Sequence, residues 1–324
     1  MANGTFGGGS GTELDPFLVE DADDLNAVRN DVFSHYKQVV DIDMSVYSNW
    51  VPIGDTSVGP PMIGSYDGGG NAIANLNVNN PNLTYAGLFA ETSGATLKNI
   101  NVSGVVLAKR IAGLLVGSAA GGTTIVNCGG IGEVSIGESE AIVGGLVGQS
   151  GNITDCYYRG SVSGGTEVGG FIGVGSGSIE NCYTATPPLD SSSTFKGGLI
   201  GTLLSGTSVT SSYYDSETSG QSDTGKGEPK TTAEMKDINT YLPEWNIAEE
   251  SLATQDEYGW NRNYIWRIGN ANDGYPFLRI QPSTPYNIHT KINGAWLPIV
   301  QVWAKIQGEW KVIDMEDWID PPSP

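Results

Sequence analysis

Residues 144–164 read "GGLVGQSGNITDCYYRGSVSG". Three short β-rich runs, "GGLVG", "NITDCYY" and "GSVSG", are separated by glycine. None sustains a 3.6-residue period over ten or more residues, which a helical repeat requires. The pattern recurs along the chain. Aligning "IANLNV", "LKNINV", "IVNCGG", "ITDCYY", "IENCYT" and "VTSSYY" puts Leu76, Ile100, Cys128, Cys156, Cys182 and Ser212 in one column, with steps of 24, 28, 28, 26 and 30 residues. A second column holds "AGLFA" (86–90), "GLLVG" (113–117), "GGLVG" (144–148), "GGFIG" (169–173) and "GGLIG" (197–201). Periods of 20–50 residues signal a stacked array. This one fits one turn of a β-helix with about three short strands, each turn ~4.8 Å from the next.

In such a stack equivalent residues lie above one another. The column of Leu76, Ile100, Cys128, Cys156, Cys182 and Ser212 becomes an inward ladder. Free cysteine packs as a small buried hydrophobe, so the three cysteines read as core residues. A structural zinc site uses four ligands, usually with short C-x-x-C pairs, and these are absent. A disulfide between turns would leave one of three cysteines odd. Three reduced thiols are expected. The paired glycines read as corners where a Cβ would clash or φ must be positive. They do not read as a phosphate loop, because neither Lys-Ser/Thr nor a helix pattern follows.

Composition bounds the function. Glycine accounts for 46 of 324 residues, and 36 acids face 16 bases for a formal charge of −20. That balance argues against a nucleic-acid partner, which needs a basic face. It keeps the chain soluble; the alternative use is Ca²⁺ or a cationic partner, for which no motif exists. No cofactor is implied. No run of about 18 apolar residues marks a membrane span. The opening residues lack the basic and apolar regions of a secretory signal, so the expectation is a protein used without secretion or one whose signal was removed. His35 and His289 lie far apart in sequence and leave little for histidine catalysis or zinc.

"GGLVGQSGNITDCYYRGSVSGG" and "GGFIGVGSGSIENCYT" resemble the GLUG motif of bacterial and phage surface proteins. The likeness covers residues 84–215 best. "GTELDPFLVEDADDLNAVRND" resembles the family's lead-in, and "NYIWRIGNANDGYPFL" its closing segment. "GLLVG" departs by a leucine for a glycine, "NCGG" lacks the tyrosine, and "TSSYY" lacks the cysteine. The resemblance implies an all-β, right-handed parallel β-helix of about six turns, used in adhesins and surface-exposed virion proteins. It implies no single chemistry.

The organisation expected is an N-terminal cap with first strands at 1–60, the β-helix at 61–215, a loop and closing segment at 216–285, and a hairpin module at 286–324. Asp21 can N-cap a short helix with Leu25 and Val28 inward. Thr231 and Glu234 form a capping box. Residues 216–229, "SETSGQSDTGKGEP", read as an exposed loop. "TKINGAWLPI" and "WAKIQGEWKVI" repeat with an offset of 14, and Asn293-Gly294 signals a tight hairpin. Trp296, Trp303 and Trp310 are candidate docking residues, with packing on the solenoid's own end as the competing reading.

Three functions compete. The first is a non-enzymatic phage virion component, a tail tip, fibre or spike that attaches to a host-surface glycan or protein. It would dock on other virion proteins, or on itself, through 286–324. The second is a bacterial cell-surface adhesin. The third is a polysaccharide-degrading tailspike, which needs two carboxylates about 5–9.5 Å apart; Glu133, Glu138, Glu140, Asp155, Glu167 and Glu180 do not align into such pairs. A threonine ladder of the kind that binds ice is not apparent. The candidate binding face is the column after the ladder: Asn77, Asn101, Gly129, Tyr157, Tyr183 and Tyr213. Tyr157, Tyr183 and Tyr213 would form an outward strip with Arg159 beside it, suited to sugar rings. The competing reading is that the closing segment 245–285 covers the strip.

Overall fold

The computed structural model describes residues 5–137, 140–187, 194–249 and 264–278 in full, and four backbone strands beyond them. The chain divides into two compact units, Met1–Ser283 and Thr284–Pro324. The first is a parallel β-solenoid. Five complete turns each contribute four short strands, one to each of four parallel sheets, where the sequence suggested three. In the third turn these are Ile142–Gly144 in sheet I, Val147–Gln149 in sheet II, Asn152–Thr154 in sheet III and Tyr157–Ser163 in sheet IV. Sheets III and IV extend toward the N-terminus through His35–Gln38, Ser65–Asp67, Ile42–Asp43 and Ala72–Asn79.

Side-chain alternation builds the core. In sheet III, Leu97, Ile125, Ile153 and Ile179 stack in register and are fully buried. Each is worth roughly 1.5–3 kcal/mol relative to exposure. Their neighbours on either side along the strand face outward.

The corner from sheet III to sheet IV explains the cysteines. Asn99, Asn127, Asp155, Asn181 and Ser211 all have φ between 44° and 55°. Asparagine and aspartate tolerate this left-handed conformation better than most residues. The next residue turns inward: Ile100, Cys128, Cys156, Cys182 or Ser212, all buried. Here the thiols act as polar groups. Cys128, Cys156 and Cys182 each place Sγ 3.1–3.2 Å from the carbonyl oxygen two residues back. Ser212 donates to Thr210 O at 2.8 Å in the same way. Two of these atoms also accept: Cys128 N–H donates to Cys156 Sγ at 3.3 Å, and Cys182 N–H to Ser212 Oγ at 3.1 Å. A small side chain that both donates and accepts satisfies backbone groups that the corner leaves out of the strand ladder. All three thiols are free and buried.

Leu76 does not belong to this ladder. Asn75 has φ 62° and Leu76 is buried, which mimics the corner locally. Register nevertheless pairs Ala72 with Asn101 and Leu76 with Gly104, with a bulge after Ile73. The turn through Gly68–Asn71 supplies the corner at this level, so Ala72, not Asn77, continues the column of Asn101.

The two motif departures in the second turn compensate each other. Leu114 lies level with Gly145, Gly170 and Gly198 of later turns. A Cβ on Gly145 would sit 2.0 Å from the Tyr158 ring, and one on Gly198 2.2 Å from the Tyr214 ring. These glycines make room for inward tyrosines. In the second turn the position of Tyr158 is Gly130, and a Cβ there would meet Leu114, Leu146 and Tyr158. Leucine and glycine have exchanged places with glycine and tyrosine.

The ends follow the sequence. Asp21 caps Ala22–Ala27, with Leu25 and Val28 buried. Thr231 and Glu234 make both bonds of a capping box. Residues 216–229, read as an exposed loop, also close the last turn. Asp223 accepts from Gly198 N–H and, through its carbonyl, from Tyr214 OH; Lys226 Nζ donates to Lys196 O and Gly201 O. In the second unit, His289–Ile292 pairs with Ala295–Pro298 and Val302–Ile306 with Glu309–Ile313, both antiparallel. Trp296 lies opposite Lys291, Trp310 opposite Lys305 and Trp303 opposite Val312. Asn293-Gly294 lies outside the described residues.

Candidate functional site

Tyr157, Tyr183 and Tyr213 do form a column on the outer side of sheet IV. The Tyr157 and Tyr183 rings stack at 5.5 Å and 8°. They are not a free face. All three are buried beneath a lid formed by Thr232–Glu249 and Tyr264–Leu278. Trp245, Trp266, Tyr241 and Tyr275 pack over them, and Tyr275 lies parallel to Tyr183 at 6.3 Å. An aromatic column of this size exposed to water has strong reason to recruit a cover, and this chain carries the cover itself. Tyr158 and Tyr214 point inward and are fully buried.

The lid is also pinned by polar contacts. Tyr183 OH donates to Pro276 O at 2.5 Å and accepts from Asn272 Nδ2 at 3.0 Å. Trp245 Nε1 donates to Ser211 O at 2.8 Å, and Trp266 Nε1 to Asp155 Oδ1 at 2.9 Å. Arg159, expected to meet an anionic ligand, is a clamp. Its guanidinium donates to Asn272 O, Asn272 Oδ1 and Asp273 Oδ2, and lies 4.6 Å from the Tyr275 ring centre. Burial raises Asp215, but hydrogen bonds from Tyr275, Thr218 and Thr232 outweigh it and hold the carboxyl below its ordinary pKa.

Among the described residues the outer side of sheet III is an open polar surface. One column runs His35, Ser65, Thr96, Thr124, Asn152, Ser178, Ser208; its neighbour runs Lys37, Asp67, Lys98, Val126, Thr154, Glu180, Thr210. Six of the seven residues in the first column carry a hydroxyl or an amide, and every one is half-buried or exposed. Nearest the N-terminus the columns floor a groove of about 200 Å³, walled by Glu13, Pro16, Ile63 and Gly94. On its floor His35 Nδ1 and Ser65 Oγ are 2.8 Å apart, and Lys98 pairs with Asp67 at 3.5 Å. Donors and acceptors thus repeat at the ~4.8 Å strand spacing. The sequence hid this column because Thr96, Thr124, Asn152, Ser178 and Ser208 differ in type. Their shared signal is position, two residues before the left-handed corner residue's own predecessor.

The Ser65–His35 contact has the spacing of a nucleophile and its base. Among the described residues no group holds the other ring nitrogen of His35, so the orienting third member is missing. Among the described residues no group of three or more His, Cys, Asp or Glu could hold a metal ion, and no helix is long and apolar enough to cross a membrane.

No family model matches the chain. It is 41% identical over 116 residues to a protein of Evansella cellulosilytica named "Putative Gly-rich membrane protein", covering 35% of this chain and 12% of that one. It is 31% identical over 322 aligned residues to "Halomucin" of Haloquadratum walsbyi, covering 84% of this chain and 3% of that one. The chain therefore spans a small fraction of either relative's length. Among solved structures it is similar to a Bacteroides ovatus protein titled "a putative immunoglobulin A1 protease", with TM-score 0.57 and 19% identity, over 85% of this chain and 95% of that one. At that identity the likeness speaks to the solenoid fold alone.

Proposed function

We propose that the chain is a non-enzymatic attachment module, a rigid β-solenoid displayed at a surface that contacts glycans through the outer side of sheet III. The observation that carries this reading is the polar column from His35 to Ser208, uncovered among the described residues, set against an aromatic strip that the chain covers itself. Sugar hydroxyls match a regular row of hydroxyls, amides and alternating charges. Relatives named a membrane protein and a halomucin fit a chain on display.

Display on a bacterial cell surface is the first reading. A second keeps the phage virion, because the tandem hairpins of 289–313 would give a repeat-built docking element with Trp296, Trp303 and Trp310. The test is a glycan array probed with the purified chain and with a Thr96→Leu, Thr124→Leu variant. Loss of binding with an unchanged circular dichroism spectrum supports the sheet III face. Glycan binding that survives this variant and a Lys98→Glu change refutes it.

A further inference from the structure

Four left-handed corner residues, Asn99, Asn127, Asp155 and Asn181, lie in a column whose side-chain bonds run in one direction and start from Asp67 on the preceding turn. Asn99 Nδ2 donates to Asp67 Oδ1 at 2.9 Å, Asn127 Nδ2 to Asn99 Oδ1 at 3.2 Å, and Asn181 Nδ2 to Asp155 Oδ1 at 3.3 Å. Each amide thus donates to the residue one turn earlier. The column fails at a single rung. Asp155 occupies the place from which an amide would donate to Asn127, and Asn127 Oδ1 is buried with no partner. Buried acceptors are rarely left in this state. An ionised carboxylate has no proton to offer that orphan.

The known bonds of Asp155 fix which oxygen is free. Trp266 Nε1 and Asn181 Nδ2 both donate to Oδ1. Asn181 uses Oδ1 of Asp155 as Asn127 uses Oδ1 of Asn99, so Oδ2 is the counterpart of the asparagines' Nδ2. We propose that Asp155 is a neutral carboxylic acid in the folded protein, with its Oδ2–H donating to Asn127 Oδ1. The proton makes the acid a substitute for asparagine and completes the column from Asp67 to Asn181. It also sits under the lid, because Oδ1 of the same carboxyl receives Trp266.

The surroundings agree. Burial raises the Asp155 pKa above its ordinary value, and the bonds from Trp266 and Asn181 oppose that rise without overcoming it. Glu180 is the charged group that acts on the carboxyl, and it also favours the neutral form. The residues on the preceding turn and on the lid, Asn127 and Trp266, carry no charge.

The sign of the pH effect follows. A carboxyl whose folded pKa is raised contributes stability that is complete below its unfolded pKa and is lost as pH rises through the folded one. The folded-to-unfolded ratio should fall up to tenfold per pH unit above about 3.9, then level off once the folded pKa is passed. Asp155→Asn supplies a permanent donor, and three other rungs already carry asparagine. The experiment is urea unfolding of the full chain and of the Asp155→Asn variant between pH 4 and 8, with a ¹³C NMR titration of the Asp155 carboxyl.

The expected result is near-equal stability at pH 4, a growing advantage of Asp155→Asn toward neutral pH, and an Asp155 carboxyl that titrates above the ordinary range. Asn127→Leu removes the acceptor and should shift that titration downward. An Asp155 carboxyl that titrates at or below the ordinary range, or an Asp155→Asn advantage that does not change with pH, overturns the proposal.

Discussion

Replacing Cys156 tests what the inward ladder is made of. Its side chain is fully buried, with Sγ 3.2 Å from Thr154 O and level with the Cys128 corner. Cys128 N–H donates to that sulfur. Cys156→Ala removes the sulfur and leaves the Cys128 N–H without an acceptor. A stranded buried donor costs about 1–3 kcal/mol, and deleting one heavy atom from a packed core costs about 0.5–1.5 kcal/mol more. The expected loss is about 1.5–4.5 kcal/mol by that addition. Cys156→Ser keeps a donor and an acceptor in the place where Ser212 already has both, so its cost should stay below about 1 kcal/mol. Cys156→Asp buries an unpaired charge and should exceed about 4 kcal/mol. The assay is urea unfolding followed by far-ultraviolet circular dichroism, with midpoints compared at constant slope. A ladder of plain hydrophobes predicts the reverse order of the first two, with alanine tolerated better than serine. Serine costing as much as alanine, or more, would refute the hydrogen-bonded corner.

Four further outcomes are expected. Cys128, Cys156 and Cys182 should resist thiol reagents until urea unfolds the chain, since burial pushes the Cys156 thiol well up; labelling of all three in native buffer contradicts the fold. Gly130→Tyr alone should overpack against Leu114 and cost about 1–3 kcal/mol, and Leu114→Gly with Gly130→Tyr should recover most of it, a coupling measurable as a double-mutant cycle. The lowered pKa of Asp215 means its contribution is present above the ordinary carboxylate pKa and is lost as pH falls through the folded value; Asp215→Asn should weaken the lid at neutral pH and matter little in acid, read by unfolding at both. Ser65 should not react with a fluorophosphonate probe, and labelling lost in His35→Ala would revive a hydrolytic reading.

Much of the solenoid was legible because it repeats. A column of one residue type, such as Cys128, Cys156 and Cys182, needs only arithmetic to find. Register was legible only where the corner is repeated. It failed at Leu76 because Asn75 copies the corner's local conformation while strand pairing places it elsewhere. The tyrosine strip and the closing segment as its competing cover were both read from the sequence, but the contacts that seat the cover are a matter of tertiary packing. Trp245 and Trp266 reach Ser211 and Asp155 across 34 and 111 residues, and no local pattern encodes that. The sheet III face was missed for the opposite reason. Its residues share direction and polarity without sharing identity, and only the stacking brings Thr124, Asn152 and Ser178 into one line.

The lid rests on rungs 157, 183 and 213 of sheet IV, at the C-terminal side of the array. Those turns are therefore committed in number, since a turn inserted among them would part Trp245 from Trp266 or shear both off their carbonyl and carboxyl partners. The turns before Gly129 carry no such obligation. A turn duplicated there would leave the lid seated and lengthen the open polar row by ~4.8 Å. The solenoid thus has a fixed end and an extensible end, and the length of its open polar row is a dimension that gene duplication can adjust one rung at a time.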